Sequence, residues 1–383
     1  MAQNPSIFHL QRLSQRSHIV ITGRAAGAIW ATLKALDFRD RWVLIPANTC
    51  YIVLWAVLKS GNRPYLIDID PHTGNISPRT LSQCTIENPA AIIPCHMYGL
   101  SAPMAEISAW AKARNIFVIE DAALALGAQV DGKPAGAWGE ASIFSFGHGK
   151  IIDTEIGGAL LTDDSNLAAE VEKILAAVPA WSEYHADLTN QWNAIYWALH
   201  QFEAENPRLG ELYPTLFEIY GELVAYNLTP QPPLPEAFPS VIRIQRGGAN
   251  ASRLSNSLEN LNANLQHRAK MAAIYDDLRE TCPVWTPERP AGSILWRYPL
   301  LVSERHRDNL LQHLWENGVH DATRWYPPLR QMLSALRPDL LPQETPGADR
   351  LGAEIINLTV DERVGEGVVR EIARIVSAYF EKF

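Results

Sequence analysis

From about Ser17 to Asp164 the chain alternates between two hydrophobic rhythms. Short apolar runs rich in β-branched residues are "HIVITG" (18–23), "RWVLIPA" (41–47), "RPYLIDI" (63–69), "AAIIPCH" (90–96) and "IFVIED" (116–121). Between several of them lie stretches with apolar positions three and four apart: "AAGAIWATLKAL" (25–36), "YIVLWAVLKSG" (51–61) and "MAEISAWAKARN" (104–115). The first kind predicts buried strands and the second amphipathic helices. Their alternation predicts a mostly parallel, mixed sheet flanked by helices on both faces. "ASIFSFG" (141–147) and "GGALLTD" (157–163) add two strands around a lysine, Lys150. In such sheets ligands bind beyond the strand C-termini.

The pattern changes from about Leu167. Trp181, Trp192 and Trp197 cluster among helix formers, and Trp192, Ile195, Tyr196, Leu199 and Phe202 fall on one helical face. This Trp-rich helical insert, about 167–229, reads as core or interface. A Pro-rich connector comes next at 230–239, "PQPPLPEAFP", and reads as extended. After it, "SRLSNSLENLNANLQHRAKMAAIYDDLRE" (252–280) predicts one long helix. The remainder mixes a strand, "ILWRYPLLV", with helices, "HRDNLLQHLWENG" and "GVVREIARIVSAYF". The division expected is a large α/β domain at 1–246 and a smaller α+β C-terminal domain at 247–383, with the boundary near Gly247. For 383 residues, one large and one small domain is a natural split.

Composition narrows the partners. Apolar content of 47% and charged content of 20% are ordinary for a globular chain that buries a large core. The net charge is −9 and no basic run reaches five residues, which argues against nucleic acid and anionic membrane. No apolar run is long enough for a transmembrane segment, and the N-terminal stretch lacks the apolar core of a secretory signal. Cys50, Cys84, Cys95 and Cys282 are far apart, so neither a zinc site nor a disulfide framework is expected. A cytoplasmic protein with free thiols and no metal is the expectation.

Three features at strand ends carry the candidate chemistry. "TGRAAGAIW" passes from strand to helix through Gly23, and helix N-termini favour phosphate. By itself this turn is as readily structural. "VIED" brings Glu120 and Asp121 to a strand end, where alternation sends one carboxylate into the crevice and the other away. Taken alone, Asp121 reads best as a helix N-cap. Lys150 follows the buried "FSFGHG", and lysine is seldom buried without a partner. A desolvated lysine has a lowered pKa and forms Schiff bases. A P-loop is excluded, because Ile151 follows the lysine and Phe144 occupies the earlier glycine position. A phosphate cradle, a carboxylate and a nucleophilic lysine together are what pyridoxal 5'-phosphate (PLP) requires. The carboxylate keeps the pyridine nitrogen protonated, and the lysine holds the aldehyde.

The run "TGRAA", "IPANTC", "LIDIDPHTGNISP", "IIPCHMYGL", "VIEDAALALGA", "GKPAGAWGEASIFSFGHGK" and "GGALLTDD", with "RWYPPL" at 324–329, resembles the DegT-type sugar aminotransferases. These are fold-type-I PLP enzymes of the aspartate aminotransferase superfamily. The resemblance is dense from Ser17 to Asp164 and thin elsewhere. It implies Lys150 as the Schiff-base lysine and Asp121 as the partner of the pyridine nitrogen. It also implies Ser145 as a phosphate ligand five residues before the lysine, with Gly23 and Arg24 in the turn whose amides reach the phosphate. It further implies a homodimer with shared active sites, in which Asn250 or Arg253 comes from the partner subunit. The implied reaction moves an amino group from an amino acid, glutamate by expectation, to a keto group of a nucleotide-linked sugar, as in polysaccharide or glycoconjugate biosynthesis.

Four positions depart from the family pattern. Cys50 stands where an aromatic usually stacks on the cofactor, with Tyr51 beside it as the candidate substitute. Leu124 replaces a Gln or His, Ile156 replaces a glycine, and the Asn-x-Arg spacing has slipped at Asn250 and Arg253. Two alternatives stay open: another PLP reaction, elimination or C–N bond formation, and a PLP-binding regulatory protein without turnover. A thiol nucleophile built from Cys50 and His96 ranks far below these.

Overall fold

The computed structural model describes residues 5–178, 251–340 and 343–382. The Trp-rich segment from Trp181 onward, the Pro-rich connector, Asn250 and the boundary expected near Gly247 lie outside them. In chain order the first part runs α1 (Pro5–Ser14), β1 (His18–Thr22), α2 (Ala25–Ala35), β2 (Trp42–Pro46), α3 (Tyr51–Lys59), β3 (Arg63–Ile67), α4 (Pro78–Ser82), β4 (Ala91–Ile92), α5 (Met104–Lys112), β5 (Phe117–Asp121), β6 (Gln129–Val130), β7 (Lys133–Pro134), β8 (Ala141–Ser145), β9 (Gly158–Thr162) and α6 (Ser165–Ala176). The second part runs α7 (Ala251–Glu259), α8 (Leu261–Asp276), α9 (Leu278–Thr281), β10 (Val284–Trp285), β11 (Tyr298–Val302), α10 (Glu304–Glu316), α11 (Arg330–Leu336), α12 (Pro346–Glu354), β12 (Ile355–Leu358) and α13 (Glu366–Phe380).

The main sheet has seven strands in the order β1-β9-β8-β5-β4-β2-β3. Neighbours pair in parallel from β8 through to β3, while β9 is antiparallel to both β8 and β1. Six strands therefore point one way and β9 points back. The central strands β8 and β9 are buried at every position, as expected of strands covered on both faces, whereas the edge strands β1 and β3 are only partly covered. This is the mixed α/β large domain that the hydrophobic rhythm predicts.

A second, antiparallel sheet has the order β10-β11-β12, with α13 packed on α8 and α10. It joins the first part through backbone: Ile294 N–H donates to Gly99 O at 3.1 Å and Trp296 N–H to Tyr98 O at 2.9 Å. A Cβ on Gly99 would lie 2.4 Å from Ile294 O, so only glycine allows this approach. One expectation is corrected here. The single long helix of 252–280 is interrupted at Asn260 and Asp277. Asn260 sits at φ −92°, ψ 5°, and its Nδ2 donates to Asn256 O at 2.9 Å. The backbone bonds Asn260 N–H to Asn256 O and Asn264 N–H to Asn260 O, both 3.2 Å, persist, so the break is a local departure of Asn260 from helical dihedrals, where its side chain shares the Asn256 carbonyl.

The end of β5 is fixed by a buried polar cluster. Glu120 and His96 are fully buried, with His96 Nε2 3.0 Å from Glu120 Oε1. His96 Nδ1 accepts from the Ala102 amide at 3.0 Å, so Nε2 carries the proton. Glu120 also accepts from the amides of Gly136 (2.7 Å) and Trp138 (2.9 Å) and from Ser142 Oγ (3.0 Å). Burial opposes its charge, but the hydrogen bond and attraction of His96, with the two amides, outweigh burial and hold the carboxyl below its usual range. Such a group contributes stability above its unfolded pKa, about 4.3, and the contribution is lost as pH falls toward the folded value. Glu120→Gln is therefore expected to lower the unfolding free energy by about 3–5 kcal/mol near neutral pH. The gap to wild type should narrow below about pH 4. Urea titrations at neutral and acid pH measure both, and an equal gap at the two would refute the account.

Candidate active site

The direction of the strands places the candidate residues. β1, β2, β4, β5 and β8 are mutually parallel, so the residues just beyond their ends emerge along one edge of the sheet. There lie Gly23–Arg24, Cys50–Tyr51, Cys95–His96, Asp121, and Ser145 with the loop to Lys150. Because β9 runs the other way, its start brings Gly157 and Gly158 to the same edge.

Lys150 is the centre of this group. Burial lowers the pKa of its amine, while the neighbouring Cys50, Asp121 and Cys95 pull it back up. Asp121 is 8% exposed. Its Oδ1 accepts from the Ala123 amide at 3.0 Å, and Cys95 Sγ donates to Oδ2 at 3.5 Å. Burial raises the Asp121 pKa against the Ala123 amide, the Lys150 charge, Cys95 and His96. Glu120 has its partners on the other side of the strand, as pleating requires. Burial, the nearby Asp121 and Cys50 push the Cys95 thiol well above its usual range despite a Thr49 contact at 3.2 Å, so it stays protonated. Both His96 ring nitrogens are engaged, which leaves neither to activate Cys50.

Beyond this pair lies a backbone hollow at the start of α2. Gly158 pairs with Thr22 on one side and Ser145 on the other, and Gly157 N–H donates to Gly23 O at 2.9 Å. A Cβ on Gly158 would stand 2.4 Å from Ala25 N, so glycine is needed for β9 to reach the helix. Ser145 Oγ accepts from Gly147 N–H at 3.4 Å. Arg24 is half-buried as the N-cap residue of α2. Among the described residues its guanidinium makes no hydrogen bond or ion pair; burial lowers its pKa, offset by nearby Tyr51. Tyr51 is thus grouped with Arg24, whereas Cys50 is grouped with Lys150.

The structure also brings in residues that sequence reasoning missed. Trp296 Nε1 donates to Gly149 O at 2.6 Å, and its ring centroid is 5.6 Å from Lys150 Nζ. Trp325 and Tyr326, from the "RWYPPL" segment, stack on Trp296 at 5.7 and 6.0 Å. Burial and then Cys50, among other neighbours, raise the Tyr326 pKa far above its usual value. Gly157, Gly158 and Cys95 belong to the quoted motifs and are legible by strand-end logic, but Trp296 carries no local signal. Leu124 is buried near the Asp121 turn. Arg253 pairs with Glu155 at 2.9 Å and, with Lys150, Asp153, Asn264, Arg268 and Arg363, lines a cavity of about 450 Å³. No helix among the described residues is long and apolar enough to cross a membrane.

The residues fit a phosphate-bearing aldehyde cofactor. They supply a desolvated amine, a carboxyl whose charged form lacks full compensation, and an unpartnered cation beside a glycine-lined helix start. Comparison with known proteins agrees with this reading. The chain is similar to the "Pleiotropic regulatory protein" of Geobacillus stearothermophilus, 26% identical over 97% of this chain and 87% of that one. It is 39% identical to the GDP-perosamine synthase of Caulobacter vibrioides over 34% of this chain, spanning only 35% of that relative. The fold is similar to that of Helicobacter pylori PseC, an aminotransferase involved in the biosynthesis of pseudoaminic acid: TM-score 0.75, 20% identity, 100% of this chain and 93% of that one. The DegT/DnrJ/EryC1/StrS aminotransferase family matches over residues 9–187 and 248–377, and the chain belongs to that family.

Proposed function

We propose that this protein is a PLP-dependent aminotransferase that moves an amino group from an amino acid, glutamate in our reading, to a keto group of a nucleotide-linked sugar. The observation that carries the proposal is the gathering at the strand C-termini of Lys150, a half-buried amine of lowered pKa, with the buried carboxyl of Asp121, whose charge acts on it. The similarity to a GDP-perosamine synthase supports a nucleotide-linked acceptor. Small charged substrates of this kind suit a cytoplasmic enzyme.

Bound PLP supplies an aldehyde and an electron-withdrawing ring. Lys150 would hold the cofactor aldehyde, and its amine is the group placed to carry a proton at the reacting carbon. Desolvation lowers the pKa of this amine and so favours its neutral, nucleophilic form. Asp121 would face the protonated ring nitrogen, a cation that would relieve the cost of ionising a buried carboxyl. Gly23, Arg24 and Ser145 would hold the phosphate at the start of α2. Tyr51 flanks Arg24 there. Each active site is shared between two copies, with Asn250 or Arg253 of one chain reaching the cofactor phosphate of the other. Within one chain Arg253 pairs with Glu155 of the loop after Lys150, a pair it would leave to reach the partner's phosphate.

Borohydride treatment of the PLP-loaded protein, followed by peptide mapping, is expected to label Lys150; label on another lysine refutes its role. Adding glutamate without an acceptor should bleach the visible absorbance of bound PLP, whereas a regulatory binder without turnover keeps it. Asp121→Asn should still bind PLP and bleach at least about 100-fold more slowly, because an amide cannot stabilise the ring cation. An active Asp121→Asn beside an inactive Glu120→Gln would reverse the assignment. For the shared site, a Lys150→Ala chain and an Asn250→Ala/Arg253→Ala chain, each inactive alone, should regain activity on subunit exchange. Mixed dimers without activity would mean that each site is built from one chain.

A further inference from the structure

Lysine has a flexible four-carbon stem that must lose much rotamer freedom to hold its amine in place. Its placement depends on how the peptide beneath it is held. The peptide between Gly149 and Lys150 is held at both ends: Lys150 N–H donates to Gly147 O at 3.2 Å, and Gly149 O accepts from Trp296 Nε1 at 2.6 Å. Gly149 has φ +69°, in the left-handed region, and its own N–H donates to Asp153 Oδ2 at 2.9 Å. The indole that clamps the carbonyl also lies near the amine, 5.6 Å from Nζ. A π-face attracts an ammonium without accepting a directional hydrogen bond. The indole thus adds to the pull of Asp121 on the amine and orients it without a directional bond to be broken before it reacts.

Trp296 is itself rigidly placed. It is 2% exposed, its N–H donates to Tyr98 O at 2.9 Å, and its carbonyl accepts from Arg268 Nη1 at 2.6 Å. Trp325 stacks on it with an interplanar angle of 10°. We propose that Trp296, delivered from the segment that enters the C-terminal sheet, is the positioning residue for Lys150: its N–H fixes the peptide of the lysine and its ring directs the amine. The inference rests on Lys150 as the cofactor-holding lysine. It extends that reading by making the C-terminal part of the chain a determinant of the reactivity of the lysine.

The test follows PLP capture by apoprotein through its visible absorbance, alongside steady-state kinetics. Trp296→Phe keeps a ring over Nζ and removes the N–H; Trp296→Leu removes both. Both variants are expected to take up PLP to the wild-type stoichiometry. The capture rate should fall about 10-fold in Trp296→Phe and about 100-fold in Trp296→Leu, with kcat falling in parallel. The KM for the amino donor should stay within about three-fold of wild type. Trp325→Phe keeps an aromatic ring stacked on Trp296 and touches neither contact with the lysine loop, and should leave capture within about two-fold. Melting temperatures check folding; if Trp296→Leu does not fold, the Phe variant decides alone. Wild-type capture by Trp296→Phe, a change in KM alone, or equal slowing by Trp325→Phe overturns the inference. Failure of the wild-type protein to capture PLP overturns the functional reading itself, and is visible before any variant is made.

Discussion

An ammonium and a carboxylate each lose several kcal/mol of hydration when they leave water, and mutual attraction recovers this only in good geometry. Asp121, 8% exposed, is in that position, and the half-buried Lys150 is partly so. Asp121 has one amide donor and one thiol donor, with a raised pKa, and Lys150 has a lowered one. Glu120, next along the strand, is the fully satisfied counterpart: His96, two amides and a hydroxyl depress its pKa. One strand thus presents a completed carboxylate to the core and an incomplete one to the crevice. The incomplete one is the group with capacity left for a ligand.

The reversal of β9 makes the rest of the site possible. A parallel successor to β8 would need a crossover through a helix. An antiparallel one needs only a loop, and that loop, at the binding edge, carries Lys150. The same reversal delivers Gly157 and Gly158 against the first turn of α2, where a side chain on Gly158 would collide with backbone. Gly158 is therefore a packing requirement, and Gly157, at φ +124°, a conformational one, and together they shape the hollow between Ser145 and Arg24.

Much of this was legible in the chain because it is local. The runs ending at Thr22, Pro46, Asp121 and Ser145 are strands as their apolar pattern predicts, and strand direction alone gathers their end residues. The C-terminal third of the chain was less legible. The helix expected over 252–280 reads as continuous in periodicity, yet Asn260 leaves helical dihedrals at φ −92°, ψ 5°, a local kink that hydrophobic spacing does not register. Trp296 reads as an ordinary core residue at the start of a strand. Its contact with Gly149 links two distant parts of the chain, and no spacing rule encodes it. Tyr51 shows a limit of a different kind. Its identity suggests a stacking role, but α3 begins there, and the turn of the helix groups Tyr51 with Arg24 while Cys50 remains by the lysine.

The C-terminal sheet is seated by buried charge as well as by apolar contact. Arg268 and Arg297 are each 3% exposed. Arg268 donates to Asn264 Oδ1 and Trp296 O, both at 2.6 Å, and burial lowers its pKa to about 10. Arg297 donates to Asp321 O at 2.6 Å and lies 5.6 Å from the ring centroids of both Trp296 and Trp325. Asp361, bound by Arg363 and Thr359, stays ionised far below its usual pKa despite burial. Apolar packing of similar volume would stabilise the sheet as well or better, but it would tolerate small slips in register. Directional bonds to the carbonyls of Trp296 and Asp321 do not. The charges thus trade stability for a fixed seat for one indole, and that seat lies a single hydrogen bond from the peptide that carries the lysine.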